Sequence, residues 1–270
     1  MKHKREHMKT LRLMGTAMLA FFMCVNLTSC GEENIEGGEG ENAGNTEGAG
    51  IALAEGKRLL SVYSTNDQFE FEYDENGRLK SARYYERSNG QISHSSYTKN
   101  CKFTWHEDKI EVVENEDLRY TLNVVDGLVR TTEYENDHDL DEEFSYNKDN
   151  RVRTTRSYPL TKYNTWRGDT LVSIENDYPE YVAELTYANG LSCKAGYFPL
   201  IPDMIGFGCE ALFTAHPELV GMRTNILPDT FSPESGKVSF TYKFNEEGYI
   251  TTIKEKNDRV TYTYTLTWQE

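Results

Sequence analysis

The chain of 270 residues carries a formal net charge of −15 at neutral pH, and 37% of its residues are hydrophobic. That apolar share supports a core and excludes a disordered chain, while the acidic excess repels polyphosphate and anionic lipid and argues against nucleic-acid binding. Eighteen Tyr, twelve Phe and three Trp favour pleated sheet, where aromatic side chains pack well.

At the start, Lys2, Lys4, Arg5, Lys9 and Arg12 precede an apolar stretch from Met14 to Val25 and the small residues Thr28 and Ser29. This is the layout of a secretory signal over 1–29, and its apolar run is shorter than the roughly 20 residues of a spanning helix. "LTSC" at 27–30 resembles the bacterial lipobox, which implies cleavage before Cys30 and acylation of that residue. Two or more acyl chains, at about 0.8 kcal/mol per buried methylene, give stable anchoring. From Gly31 to Gly50 the chain holds seven Gly and six Glu, with Ile35 its sole large apolar residue. Such a segment cannot offset its own ordering entropy and reads as a tether spanning about 25 Å. Glu32 and Glu33, close behind the cysteine, resemble the signal that sends Bacteroidetes lipoproteins to the outer face of the outer membrane, which implies the cell surface; without that signal the domain faces the periplasm.

The remainder is read as a lipidated cysteine and tether over 30–56 followed by a β domain over 57–270. One theme repeats in that domain: aromatic residues two apart, a polar or Gly turn, then an aliphatic residue. It occurs in "FEFEYDENGRL" (69–79), "CKFTWHEDKIEV" (101–112), "RYTLNVVDGLV" (119–129), "EFSYNKDNRV" (143–152), "AELTYANGL" (183–191) and "SFTYKFNEEGYI" (239–250). Each reads as a β-hairpin, because period two puts Phe69, Phe71 and Tyr73 on one face and Glu70 and Glu72 on the other. Asn76-Gly77, Asp126-Gly127 and Asn189-Gly190 supply turn residues that tolerate positive φ. Near the end, Val260, Tyr262, Tyr264, Leu266 and Trp268 alternate with polar residues. The expected fold is all-β: a single antiparallel meander of some 10 to 14 strands, forming a strongly curved sheet or barrel-like shape with one wet face. Residues 197–236 break the alternation and hold five of the seven prolines. Met204, Ile205, Leu212, Phe213 and Leu219 suggest one or two short helices near 199–224, with Pro217 early in the second, covering an open end or edge of the sheet.

The Tyr-Asp-x-x-Gly-Arg-Leu look of "FEYDENGRL", weaker in "FSYNKDNRV" and "FTYKFNEEGYI", resembles the tyrosine–aspartate repeats of bacterial toxin shells. Lipobox, acidic tether, hairpins and "VGMRTNILP" (220–228) together resemble an uncharacterised family of Bacteroidetes lipoproteins with a porin-like fold. That resemblance implies the anchor and the fold, and it carries no catalytic residue. Membrane-spanning strands are not expected, since charges on the polar faces leave no apolar belt.

Candidate chemistry is sparse. Asp137, Asp139 and Asp141 alternate as in a calcium loop, but Glu142 stands where an EF-hand needs Gly and Lys148 where it needs Glu, leaving only a loose Ca²⁺ site against a solvated acidic loop. "GFGCEA" (206–211) fits a dinucleotide fingerprint in letters but lacks a parallel β-α-β setting. His94, His106, His138 and His216 form no HExxH, and no nucleophile elbow is present. Cys101, Cys193 and Cys209 remain after the signal; a Cys193–Cys209 bridge and free buried thiols both stay open. Trp105 and Trp268 fall in period with the inward aromatics. Trp166, followed by Arg167 and Asp169 in an apparent polar loop, is the candidate ligand contact. Arg167-Gly168-Asp169 is also the tripeptide that integrins read, with a plain turn as the simpler account. No metal site beyond the loose Ca²⁺ candidate and no cofactor is expected. The reading is a lipid-anchored, non-catalytic binding module for a glycan, peptide or envelope partner. A structural subunit of an envelope complex is the alternative, and a hydrolase ranks below both.

Overall fold

The computed structural model describes residues 51, 53–88, 91–92, 98–177, 182–200, 209–224, 226–233 and 236–270. The signal, Cys30, the tether as far as Gly50, His94, Met204 and Ile205 lie outside the described residues. The strands in chain order are β1 (Leu59–Tyr63), β2 (Asp67–Tyr73), β3 (Leu79–Ser88), β4 (Gln91–Ile92), β5 (Thr98–Trp105), β6 (Lys109–Glu114), β7 (Leu118–Val125), β8 (Leu128–Tyr134) and β9 (Glu142–Tyr146). They continue with β10 (Val152–Ser157), β11 (Leu160–Arg167), β12 (Thr170–Asn176), β13 (Val182–Thr186), β14 (Thr230–Ser232), β15 (Val238–Phe244), β16 (Ile250–Lys256) and β17 (Thr261–Trp268).

Each strand pairs antiparallel with its sequence neighbour, β3 pairs with β5 while β4 pairs with β3 alone, and β1 pairs with both β2 and β17. The result is a closed barrel of 16 strands, more than the hairpin count suggests and without an open edge. Five of the six repeats form hairpins as expected; "AELTYANGL" instead leaves β13 and leads into the insertion.

Alternation decides which face is inside. Phe71, Phe103, Val112, Leu122, Ile174, Leu185, Phe240, Ile253 and Leu266 are buried. Glu72, Lys80, Arg83, Lys102, Arg119, Glu133, Glu143, Glu184, Lys243 and Lys254 are exposed on the outer wall. Among the described residues these charges interrupt any apolar belt, and a charged side chain facing the lipid midplane costs about 2–4 kcal/mol.

The insertion between β13 and β14 fills the lumen. It holds the helix α1 (Glu210–Ala215) and a 3₁₀ turn over Pro217–Val220. Inward groups from strands all around the ring meet it. His216 lies against Tyr73 and Trp105, Phe213 against Phe144, Phe198 against Phe240 and Tyr242, and Tyr197 against Trp268. Only a segment inside the ring can touch β2, β5, β9, β15 and β17 at once. Closure leaves no edge to cover; the segment enters the lumen from the end that carries Leu79 and the Asn150–Arg151 turn, where His216, Gly221 and Arg223 are held, in keeping with the expected cover over an open end.

Six strands carry a register shift at their first turn of ladder, one residue past a buried aliphatic: Leu59, Leu79, Val129, Val152, Leu171 and Ile250. A bulge strips the local carbonyl of a ladder partner. In all six, an aromatic tip on the adjacent strand or just past its end replaces it. Tyr73, Trp105, Tyr146, Trp166, Tyr187 and Trp268 donate to the carbonyls of Leu59, Leu79, Val129, Val152, Leu171 and Ile250, respectively. The β6–β7 ladder has no shift, and Val124 stands where the others have an aromatic. The recurrent aromatic–turn–aliphatic phrase thus encodes a bulge and its clasp.

Candidate functional site

The clasps gather at the end of the barrel where β1 begins, and the candidate loop lies there. Trp166 is in β11, not in a polar loop, and its indole N–H donates to Val152 O at 2.7 Å. Gly168 and Asp169 make the tight turn to β12, with Gly168 at φ 59°. Arg167 is exposed on the outside of the wall. Trp166 and Asp169 do share a partner, which is Arg151: its guanidinium stacks over the indole at 5.7 Å and pairs with the Asp169 carboxylate. Arg151 also donates to the carbonyls of Gly221 and Arg223, so it fastens the lumen segment to the barrel end.

Sequence reasoning passed over Arg151, although a signal existed. Arg78 stacks over Trp105 at 5.9 Å and Arg130 over Tyr146 at 4.7 Å. Each of the three arginines flanks the buried aliphatic of the repeated phrase, immediately before or after it.

A second node sits deeper. His216 is fully buried; its Nε2 accepts the Leu79 amide at 3.1 Å. The ring proton is therefore on Nδ1, which donates to Glu218 Oε1 at 3.2 Å. The same carboxylate oxygen accepts the Ala54 amide at 3.1 Å. Burial alone would raise the Glu218 carboxyl, but the hydrogen bonds from His216 and Ala54 outweigh it and hold its pKa below the usual value. Chain entry, lumen segment and β3 are tied at one point. With Nε2 occupied by a backbone amide, this imidazole has no free nitrogen for acid–base work.

Further along the same wall, in β5 and β6, Lys99 pairs with Glu114 at 2.6 Å, both 9% exposed. Cys101 lies beside Glu114, and Tyr120 donates to Cys209 Sγ at 3.5 Å. Burial, with the Glu114 charge behind it, pushes the Cys101 thiol up, and burial raises Cys209 to about 12. Both thiols are protonated at neutral pH and are poor nucleophiles. All three described cysteines are free: Cys193 donates to Tyr197 O at 3.1 Å, so the Cys193–Cys209 bridge does not form.

The remaining motifs are dispersed. Asp141 accepts the Tyr134 amide and pairs with His138, and among the described residues no group of three His, Cys, Asp or Glu side chains could hold a metal ion. Gly206 and Gly208 of the dinucleotide-like phrase lie outside the described residues; Cys209 precedes a helix of six residues among antiparallel strands, without the parallel β-α-β setting that fingerprint needs. His106 is exposed and pairs with Glu111.

No family model matches the chain, and no curated protein matches it. Solved structures do. A porin-like protein from Bacteroides uniformis ATCC 8492 is similar over 79% of this chain and 95% of its own, at 15% identity and a TM-score of 0.60. A porin-like protein from Bacteroides vulgatus ATCC 8482 aligns over 78% of this chain and 98% of its own, at 12% identity and a TM-score of 0.35. The first likeness shows a shared barrel fold.

Proposed function

We propose that this chain is a lipid-anchored envelope protein that works as a non-catalytic binding module. The observation that carries the reading is the pairing of a polar outer wall with a lumen occupied by the chain's own segment. A polar wall and a filled lumen suit neither a pore nor a membrane span, which supports an anchor other than the strands. Cys30, within the lipobox-like "LTSC", is the group that supplies the anchor. Acylation there, with Glu32 and Glu33 behind it, directs the protein to the outer membrane with its barrel facing the medium. Ala54, near the first described residue, is tied to Glu218 at the clasped end, which leaves the outer wall and the opposite loops for a ligand. The protonated thiols and the fully engaged His216 favour binding over chemistry.

The test is fractionation of cells expressing the intact chain or Cys30→Ala. The expected result is a palmitate-labelled membrane protein that becomes unlabelled and soluble on substitution, and that external protease removes from intact cells. Membrane retention of unlabelled Cys30→Ala would defeat the reading.

A further inference from the structure

In a chain of net charge −15, residues 150–168, "NRVRTTRSYPLTKYNTWRG", hold five basic side chains and no acid. They make up most of the β10–β11 hairpin. Arg151 turns to the barrel end, where it clamps the lumen segment. Lys162 lies in register with Thr155 and Asn176 on the inward side. The other three, Arg153, Arg156 and Arg167, are exposed on the outer wall. The bulge between Val152 and Thr154 sets Arg153 and Thr154 on the same outward face, where strict alternation would separate them.

Two aromatics share this strip. Tyr158 at the hairpin tip is 76% exposed and Tyr163 is 45% exposed, the two aromatic side chains most open to solvent among the described residues. Tyr163 stands opposite Thr154 on one side and Glu175 on the other. Among the described residues Arg153 and Arg167 have no ion-pair partner. Arg156 meets Glu143 only at 3.8 Å, with both side chains about 70% exposed, a geometry that holds neither one in place. From Tyr158 to Arg167 the strip runs about 25 Å along the wall, at roughly 3.3 Å per residue.

We propose that the outer face of the β10–β11 hairpin binds an extended acidic glycan. Arg153, Arg156 and Arg167 take its carboxylates or sulfates, and Tyr158 and Tyr163 carry the faces of its rings. Guanidinium groups bind such oxyanions through paired hydrogen bonds, and exposed tyrosines offer flat apolar faces with a polar tip. Ser145, Thr161, Thr165 and Ser173 flank the strip with groups that match sugar hydroxyls. Charge decides the class of ligand. The strip is narrow and bordered by Glu143, Glu175, Glu184 and Asp177, whose carboxylate accepts the Thr161 amide at 2.8 Å and hydrogen-bonds Tyr163, so a broad anionic bilayer meets those acids as soon as it meets the arginines. Nucleic acid presents about one charge per 1.7 Å of duplex and suffers most from the overall negative field. A single glycan strand with sparser charge touches the strip alone. The inference rests on the binding-module reading and names the ligand class for it.

The full chain, purified in a neutral detergent, is titrated with heparin, polygalacturonate, dextran, single-stranded DNA and phosphatidylglycerol vesicles. The expected result is binding of one of the two acidic glycans that falls at least tenfold in the Arg153→Ala/Arg156→Ala/Arg167→Ala variant and severalfold in Tyr163→Ala. Arg83→Ala, on a different part of the wall, leaves binding unchanged, and all variants keep the parent melting temperature within a few degrees. Failure to bind either acidic glycan overturns the inference, as does binding that survives the triple substitution, or equal binding of DNA or vesicles. Arginine-independent binding of dextran overturns it too, while leaving the binding-module reading standing.

Discussion

Tyr146 and Tyr187 each place a hydroxyl on a carbonyl that a bulge has left without a ladder partner. Removing the hydroxyl alone leaves that acceptor unmet, which costs about 1–2 kcal/mol. Tyr146→Phe and Tyr187→Phe are therefore expected to lower the urea midpoint by that amount each. They sit on different strands with different partners, so the double variant is expected to show the sum. The sequence phrase announced these aromatics, but not their partners, because the accepting carbonyl belongs to the strand alongside. Carboxylates at this scale split by sign. Glu218 has its pKa held low in the fold, so its contribution is full above the ordinary carboxyl range and is lost as pH falls through its folded value. Glu218→Gln is expected to lower the melting temperature at about pH 6 and to flatten the loss on acidification below about pH 4. Glu255 is the opposite case: burial raises it, against the Tyr264 hydrogen bond. Its charged form weakens the fold at neutral pH, and the penalty disappears as pH falls through the raised value. Glu255→Gln is expected to melt higher than the parent at pH 7, with the difference closing in acid.

Gly221 shows how the lumen segment is seated against the hairpins as an element. Its φ is 62°, and a Cβ there would come within 1.8 Å of Asn150 O in the β9–β10 turn. Gly221→Ala must push the segment off that turn or strain both, and a loss of more than about 2 kcal/mol is expected in a denaturant titration. Gly127 is the control, because it also has positive φ but nothing within 4 Å of the added Cβ. Gly127→Ala is expected to cost only the backbone term, about 1–2 kcal/mol. The insertion was visible in the sequence as proline-rich and without alternation, and its short helical turns were legible from Leu212, Phe213 and Pro217. Its depth inside the ring was not, since an amphipathic turn reports that it buries a face and says nothing about which surface receives it.

For the whole molecule, the outer charges and the filled lumen predict that purified protein added to a planar bilayer produces no conductance steps. Reproducible steps of uniform size would contradict the polar-wall account. Closure also explains how so long a meander persists without pairing with other chains. Among the described residues every strand of the ring has two neighbours, which leaves no open sheet edge there to recruit a partner.

The sequence by itself determined the all-β class, the hairpins, and the inward aromatics and outward charges, because period-two patterning and turn chemistry are properties of neighbouring residues. It misled on Trp166, which looked like a loop residue because Arg167, Gly168 and Asp169 are polar, whereas the turn occupies only Gly168 and Asp169. Tertiary structure alone decided that β1 meets β17, that the insertion lies inside, that Arg151 serves both the turn and the lumen segment, and that Arg153, Arg156 and Arg167 share one outer face. Those outcomes depend on which distant backbone or side chain lies across the sheet, and that choice is made by closure and packing rather than by local pattern.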